Sequence, residues 1–178
     1  MNPPKSLTPQ QTQALLSALL PAPGTTKQFA RGVRDYCLTL VMLDAGLRVG
    51  EAKRLAGHDL WIGDQPVSQI IVRAELSKTK KERAVPASSR LQAAIQELHD
   101  RTWGKPLAGL PSFAFYQTNP HQHLTSRQVQ RSLQKAALAA GISRVTPHML
   151  RHTFATKVLA RSNTRVTQIL LGHASLTS

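Results

Sequence analysis

The chain has 178 residues, the size of one ordinary domain and enough to bury a core. Lys and Arg outnumber Asp and Glu by 23 to 9, and the net charge of +14 suggests a polyanionic partner. The single cysteine, Cys37, excludes an internal disulfide, and no apolar run is long enough to span a bilayer. The opening MNPPKSLTPQQ lacks the apolar stretch of a signal peptide, so a reducing cytoplasm is the expected compartment.

Residues 1–7 read as a tail or linker. Thr8-Pro9 supplies a helix cap and a first-turn proline, and Leu15, Leu16, Leu19 and Leu20 give that helix an apolar side. A second helix is expected over 29–44, stopped by Gly46, and a third over 48–55, before Gly57. Two strands, 68–75 and 82–86, flank the polar stretch 77–81 and predict a hairpin. Ser88 or Ser89 caps a helix with Leu91, Ile95 and Leu98 on one face. Residues 102–124, rich in Pro, Gly, His and Asn, read as a long loop around the apolar piece 113–116. Thr125 and Gln128 form a capping box for a helix with the stripe Val129, Leu133, Ala136 and Ala140. Thr146-Pro147 opens the next helix and Thr164 the last. The expected fold class is α+β, mainly α-helical, with one small antiparallel sheet.

Three pieces carry chemistry. His148 falls in the first turn of the helix opened by Thr146-Pro147, where free N–H groups and the helix dipole accommodate an anion. Arg151 follows one turn later on nearly the same face, and its planar fork suits two phosphate oxygens. Within GLRVGEA, residues 46–52, Arg48 and Glu51 are three apart at a helix start, where the carboxylate can hold the guanidinium. The stretch SKTKKERAVP, residues 77–86, is a basic finger carrying Lys78, Lys80, Lys81 and Arg83, suited to a nucleic-acid groove. Each piece alone also reads as a solvated face, an ordinary ion pair or a charge-protected edge hairpin. A zinc site on His148 and His152, joined by His121 and His123, is a further alternative. However, Met149 stands where a zincin needs glutamate, and there is no cysteine cluster.

Taken in order, GLRVGEA, a lysine-bearing hairpin ending in KERAVP, HMLRHTFAT and LLGH resemble the catalytic domain of the tyrosine recombinases, the phage-integrase family. The resemblance runs from about Leu7 to the last residue, so that residues 8–178 are expected to be this domain. It implies a helical fold with one small sheet, double-stranded DNA as partner and no cofactor or metal. It also implies strand cleavage and rejoining through a 3′-phosphotyrosine in the intact parent, which would act as a homotetramer on DNA in the bacterial cytoplasm. Carried over block by block, the catalytic positions are Arg48, Lys78, His148, Arg151 and His173, with Glu51 in support. Lys80, Lys81, Arg83 and Arg127 are the expected DNA contacts.

In that family the nucleophilic tyrosine lies about nine residues past the second histidine. Here Ser178 is the last residue, five after His173, and the only tyrosines, Tyr36 and Tyr116, match no such position. The expectation is therefore a monomeric, inactive fragment that lacks the nucleophile and the family's N-terminal DNA-clamping domain. The rivals are a non-catalytic DNA-binding regulator on the same fold, a metal-dependent hydrolase built on the histidines, and a type IB topoisomerase. GLRVGEA and LLGH are less like the last of these.

Overall fold

The computed structural model describes residues 6–20, 26–103 and 109–172. Helix α1 spans Pro9–Leu19. The Thr8 hydroxyl accepts from the Gln11 N–H at 3.1 Å, and the Gln11 side chain accepts from the Thr8 N–H at 3.0 Å, which satisfies two otherwise orphaned donors. Leu15, Leu16 and Leu19 are buried, whereas Leu20 is 55% exposed, so the apolar side is narrower than the four leucines suggested. Leu7 is buried and its N–H donates to the Thr153 hydroxyl at 2.8 Å, so this last residue of the expected tail is packed in the core.

Helix α2, Thr26–Asp44, runs through the centre and packs on α1 and on four later helices. Gly46, with φ of +65°, reverses the chain. The expected helix over 48–55 is only the single turn α3, Val49–Ala52, followed by a second short turn, α4, Gly57–Leu60. The break has a local cause: the Asp59 carboxylate accepts from the Ala56 N–H at 2.8 Å and starts the new turn there.

Two antiparallel pairs follow rather than one. The first, β1 (Trp61–Ile62) with β2 (Gln65–Pro66), has two residues per strand, too few for alternation to reveal it. The second is the expected hairpin, with β3 at Gln69–Val72 and β4 at Arg83–Pro86, in the register Ile70↔Val85 and Val72↔Arg83. Helix α5, Ser89–Leu98, is capped by Ser88. It passes into a π-turn, His99–Trp103, whose His99 ring stacks on Trp61 at 3.9 Å. The loop beyond is anchored by the fully buried Phe115 and by the Ala114 N–H donating to the Leu55 carbonyl at 2.7 Å.

Helices α6 (Ser126–Ala139), α7 (Pro147–Leu159) and α8 (Thr164–Leu171) complete the fold, each opened by a side-chain cap from Thr125, Thr146 or Asn163. One core joins the layers, with Leu40, Leu47, Leu55, Ile70, Leu91, Ile95 and Leu150 wholly buried. The architecture is mainly helical with small antiparallel sheets, as the resemblance implied. Among the described residues no helix is long and apolar enough to cross a membrane.

Candidate functional site

A cleft of about 340 Å³ opens between the start of α3, the first turns of α7 and the end of α8, lined by Arg48, Val49, Pro147, His148, Arg151, His152, Ala155 and Leu171. Local sequence dictates each wall. The Thr146 hydroxyl accepts from the Met149 N–H at 3.2 Å and sets the start of α7. From there the helical repeat buries Leu150 and Phe154 on one side and brings His148 and Arg151 to the other. The Gly46 reversal delivers Arg48 as the cap residue of α3, on the facing wall.

Arg151 is buried and held by two backbone carbonyls from the other walls. Its Nη1 donates to Gly46 at 2.5 Å and its Nη2 to Leu171 at 2.6 Å. Burial, then the charge of Arg48, push its pKa down to about 10; Glu51 opposes the shift and Arg83 adds to it. A guanidinium crowded in this way by its own kind is a site where an added anion relieves repulsion.

Glu51 neutralises part of that charge from below. Its carboxylate accepts from the Arg48 N–H at 2.8 Å and lies 3.3 Å from Arg48 Nη1. Burial alone would raise its pKa, but the hydrogen bonds from Arg83 and from the Arg48 backbone, with the charges of Arg83 and Arg151, hold it below the ordinary carboxylate range.

Arg83 departs from the reading of it as a DNA contact. It is buried, its Nη1 and Nη2 grip both Glu51 oxygens at 3.1 and 2.7 Å, and its Nε donates to the Leu170 carbonyl at 3.0 Å. The strand alternation explains this, because Arg83 and Val85 share the inward face of β4 while Ala84 and Pro86 face out.

The other sequence-derived positions are scattered. Lys78, Lys80 and Lys81 are exposed at the hairpin, and Lys78 is not among the cleft-lining residues. The neighbouring Thr79 hydroxyl lies 3.4 Å from the Gly172 carbonyl, which brings the turn beside the end of α8. Arg127 is exposed in the first turn of α6, outside the cleft lining. His173 lies outside the described residues.

His152 lines the cleft, a position the motif blocks do not assign to it. Its Nε2 is 2.8 Å from His148 Nε2, and the rings meet edge to face. The i,i+4 spacing was the available signal. His121 bonds Ser112 and His123 bonds the Leu124 carbonyl, both outside the cleft lining. Among the described residues no group of three or more His, Cys, Asp or Glu side chains is gathered to hold a metal ion. Cys37 is fully buried, and burial raises its thiol pKa. Tyr36 is half-buried in α2, and the Tyr116 hydroxyl donates to the Thr102 carbonyl at 2.9 Å; neither lines the cleft.

Comparison with known proteins shows the family. The profile of the phage integrase family matches residues 5–178. The chain is 35% identical over 178 residues to the tyrosine recombinase XerD of Caulobacter vibrioides, covering 97% of this chain and 55% of that protein. It is 36% identical over 153 residues to XerC of Haemophilus ducreyi, covering 82% and 46%. Among solved structures, the XerA recombinase superposes with a TM-score of 0.76 at 29% identity, over 97% of this chain and 57% of that one. The XerH site-specific recombinase bound to its difH substrate gives 0.72 at 25% identity, over 97% and 48%. The chain thus spans about half the length of the relatives it matches. With the family profile covering nearly every residue and relatives above 30% identity over most of the chain, the protein belongs to the phage integrase family of tyrosine recombinases.

Proposed function

We propose that this chain is the DNA-binding catalytic region of a site-specific recombinase or integrase, and that its cleft receives the scissile phosphate of duplex DNA. The observation that carries this reading is the convergence of Arg48, His148 and Arg151, from separate parts of the sequence, on one cleft. Solved relatives described as bound to DNA substrates support the choice of partner.

Attack on a phosphodiester builds negative charge on the nonbridging oxygens, and fixed donors stabilise it without reorganising. Arg48 and Arg151 would supply the two guanidinium groups and His173 a further donor. Lys78 would protonate the departing 5′ oxygen as the hairpin moves toward the bound DNA. His148 would manage the proton of the attacking phenol. Neither Tyr36 nor Tyr116 is that phenol, because neither borders the cleft. Lys80, Lys81 and Arg127 would contact DNA phosphates from outside it. The intact protein would work in the bacterial cytoplasm as a homotetramer on DNA, with this region by itself monomeric.

The reading frame beyond codon 178 tests the recombinase activity. An open frame that reaches a tyrosine within a few codons, and a product that forms a covalent adduct with a nicked suicide duplex, would support it. A frame that closes before any tyrosine would favour the non-catalytic DNA-binding regulator.

A further inference from the structure

Arg83 does something that a groove-reaching cation does not. It sits on β4, belongs to none of the cleft walls, and yet touches two of them. Its Nη1 and Nη2 hold both oxygens of Glu51, the carboxylate that receives the Arg48 N–H. Its Nε holds the Leu170 carbonyl in the last turn of α8, one residue before the Leu171 carbonyl that fixes Arg151. The side chain is 4% exposed and its Glu51 partner 2%.

We propose that Arg83 is a positioning residue, which fastens Glu51 and the end of α8 to one guanidinium and so sets the spacing between Arg48 and Arg151 in the cleft. The inference rests on the reading of the cleft as a phosphate site. A buried ion pair stabilises little over a well-packed apolar pair, because two desolvation penalties offset the attraction. Its planar geometry, by contrast, fixes angles. A bidentate fork on Glu51 and a third bond at a fixed angle to Leu170 leave little freedom to slide α3 against α8. A lysine at this position would present a single ammonium in place of the planar fork, and would not fix the carboxylate and the carbonyl at set angles to one another. The consequence is cooperative: Arg48 and Arg151 should meet an oxyanion as one unit when Arg83 is intact, and separately when it is not.

The experiment titrates inorganic phosphate into the 178-residue chain and follows the Nε–H resonances of Arg48 and Arg151 by NMR, with thermal unfolding of each variant alongside. In the unsubstituted chain both resonances should move with one dissociation constant. In Arg83→Lys the fold should survive at a lower melting temperature, phosphate should bind about tenfold more weakly, and the two resonances should move with different dissociation constants. A folded Arg83→Lys chain that binds phosphate as tightly as the unsubstituted one, with both resonances still moving together, would overturn the proposal. If Arg83→Lys does not fold, Glu51→Gln serves instead, since it keeps the side-chain shape and an acceptor for the Arg48 N–H. The same loss of concerted response is then expected, and its absence refutes the proposal. If phosphate moves neither resonance in the unsubstituted chain, the phosphate-cleft reading itself fails, which is a different result from a failure of Arg83.

Discussion

The ring of Phe154 occupies the space that a side chain at Gly46 would need: a Cβ there would come within 2.6 Å of the ring's Cε1. Gly46 also has φ of +65°, and its carbonyl accepts from Arg151 at 2.5 Å. The turn that carries Arg48 into the cleft is therefore pressed against the same helix that carries Arg151.

Gly46→Ala should be costly on two counts. The left-handed backbone costs an alanine about 1–2 kcal/mol, and overpacking against a core ring adds about 1–3 kcal/mol. At 2–4 °C per kcal/mol for a chain of this size, the melting temperature should fall by roughly 4–20 °C. Pairing it with Phe154→Leu should recover part of the loss by removing the clash and leaving the backbone strain. A melting temperature unchanged by Gly46→Ala in circular dichroism would contradict the packing described.

The acid limb of stability should be governed by Glu51 and Asp44. Burial opposes ionisation at Asp44, but bonds from Arg90 and Ser88, with the charges of Arg90 and Lys157, hold its pKa below the ordinary value, as the Arg83 and Arg48 contacts do for Glu51. Both folded-state values lie below those of the unfolded chain. Their contribution is thus fully present above about pH 5 and is lost as pH falls through the depressed folded values. Urea unfolding between pH 7 and pH 3 should show this loss. Glu51→Gln should lower stability at pH 7 and flatten the decline, because one titrating group is gone. Glu51→Ala should cost about 3–5 kcal/mol by leaving the buried Arg83 without its carboxylate. An acid limb as steep in Glu51→Gln as in the unsubstituted chain would refute the assignment.

Duplex DNA binding should depend steeply on salt. Each phosphate neutralised contributes about −0.9 to the slope of log affinity against log salt. Lys78, Lys80 and Lys81 are all exposed, so replacing the three by alanine should make the slope shallower by roughly 2–3 units if each meets a phosphate. Fluorescence anisotropy from 50 to 300 mM salt measures this, and a slope unaffected by the triple substitution would remove the hairpin from the DNA interface.

How far the site could be read in the sequence depended on what kind of signal each residue gave. The helix starts at Thr8, Thr125 and Thr146 were legible because a cap is a local chemical pattern, and the side-chain bonds at all three are present. Legible too were Arg48 and Arg151 as a pair, though only through the order of motif blocks, since nothing in the 102 intervening positions says that both line one cleft. Arg83 was not legible, because its charge points to solvent while the strand periodicity turns it inward. Val85, two residues on, marks the inward face of β4, and a partner as distant as Glu51 leaves no local trace. The short β1–β2 pair and the break between α3 and α4 escaped because each is about one turn or less, shorter than any period needs to declare itself.

With a suicide duplex nicked beside the scissile phosphate, the 178-residue chain should yield no covalent protein–DNA adduct on a denaturing gel. An adduct needs a phenol oxygen in line with the phosphorus, within near-attack distance of an anion held by Arg48 and Arg151. Tyr116 fails this on position and on chemistry: its hydroxyl donates to the Thr102 carbonyl, and burial raises its pKa. Tyr36 sits half-buried in the central helix, also outside the cleft lining. A longer product of the same gene that supplies a tyrosine beyond His173 should form the adduct, and in that protein Arg151→Lys should slow its formation on the order of a hundred- to a thousandfold, because an ammonium cannot hold two carbonyls and present a fork to the phosphate. Adduct formation by the 178-residue chain, abolished by Tyr116→Phe or Tyr36→Phe, would place the attacking group inside this sequence and require a different site from the cleft between α3, α7 and α8.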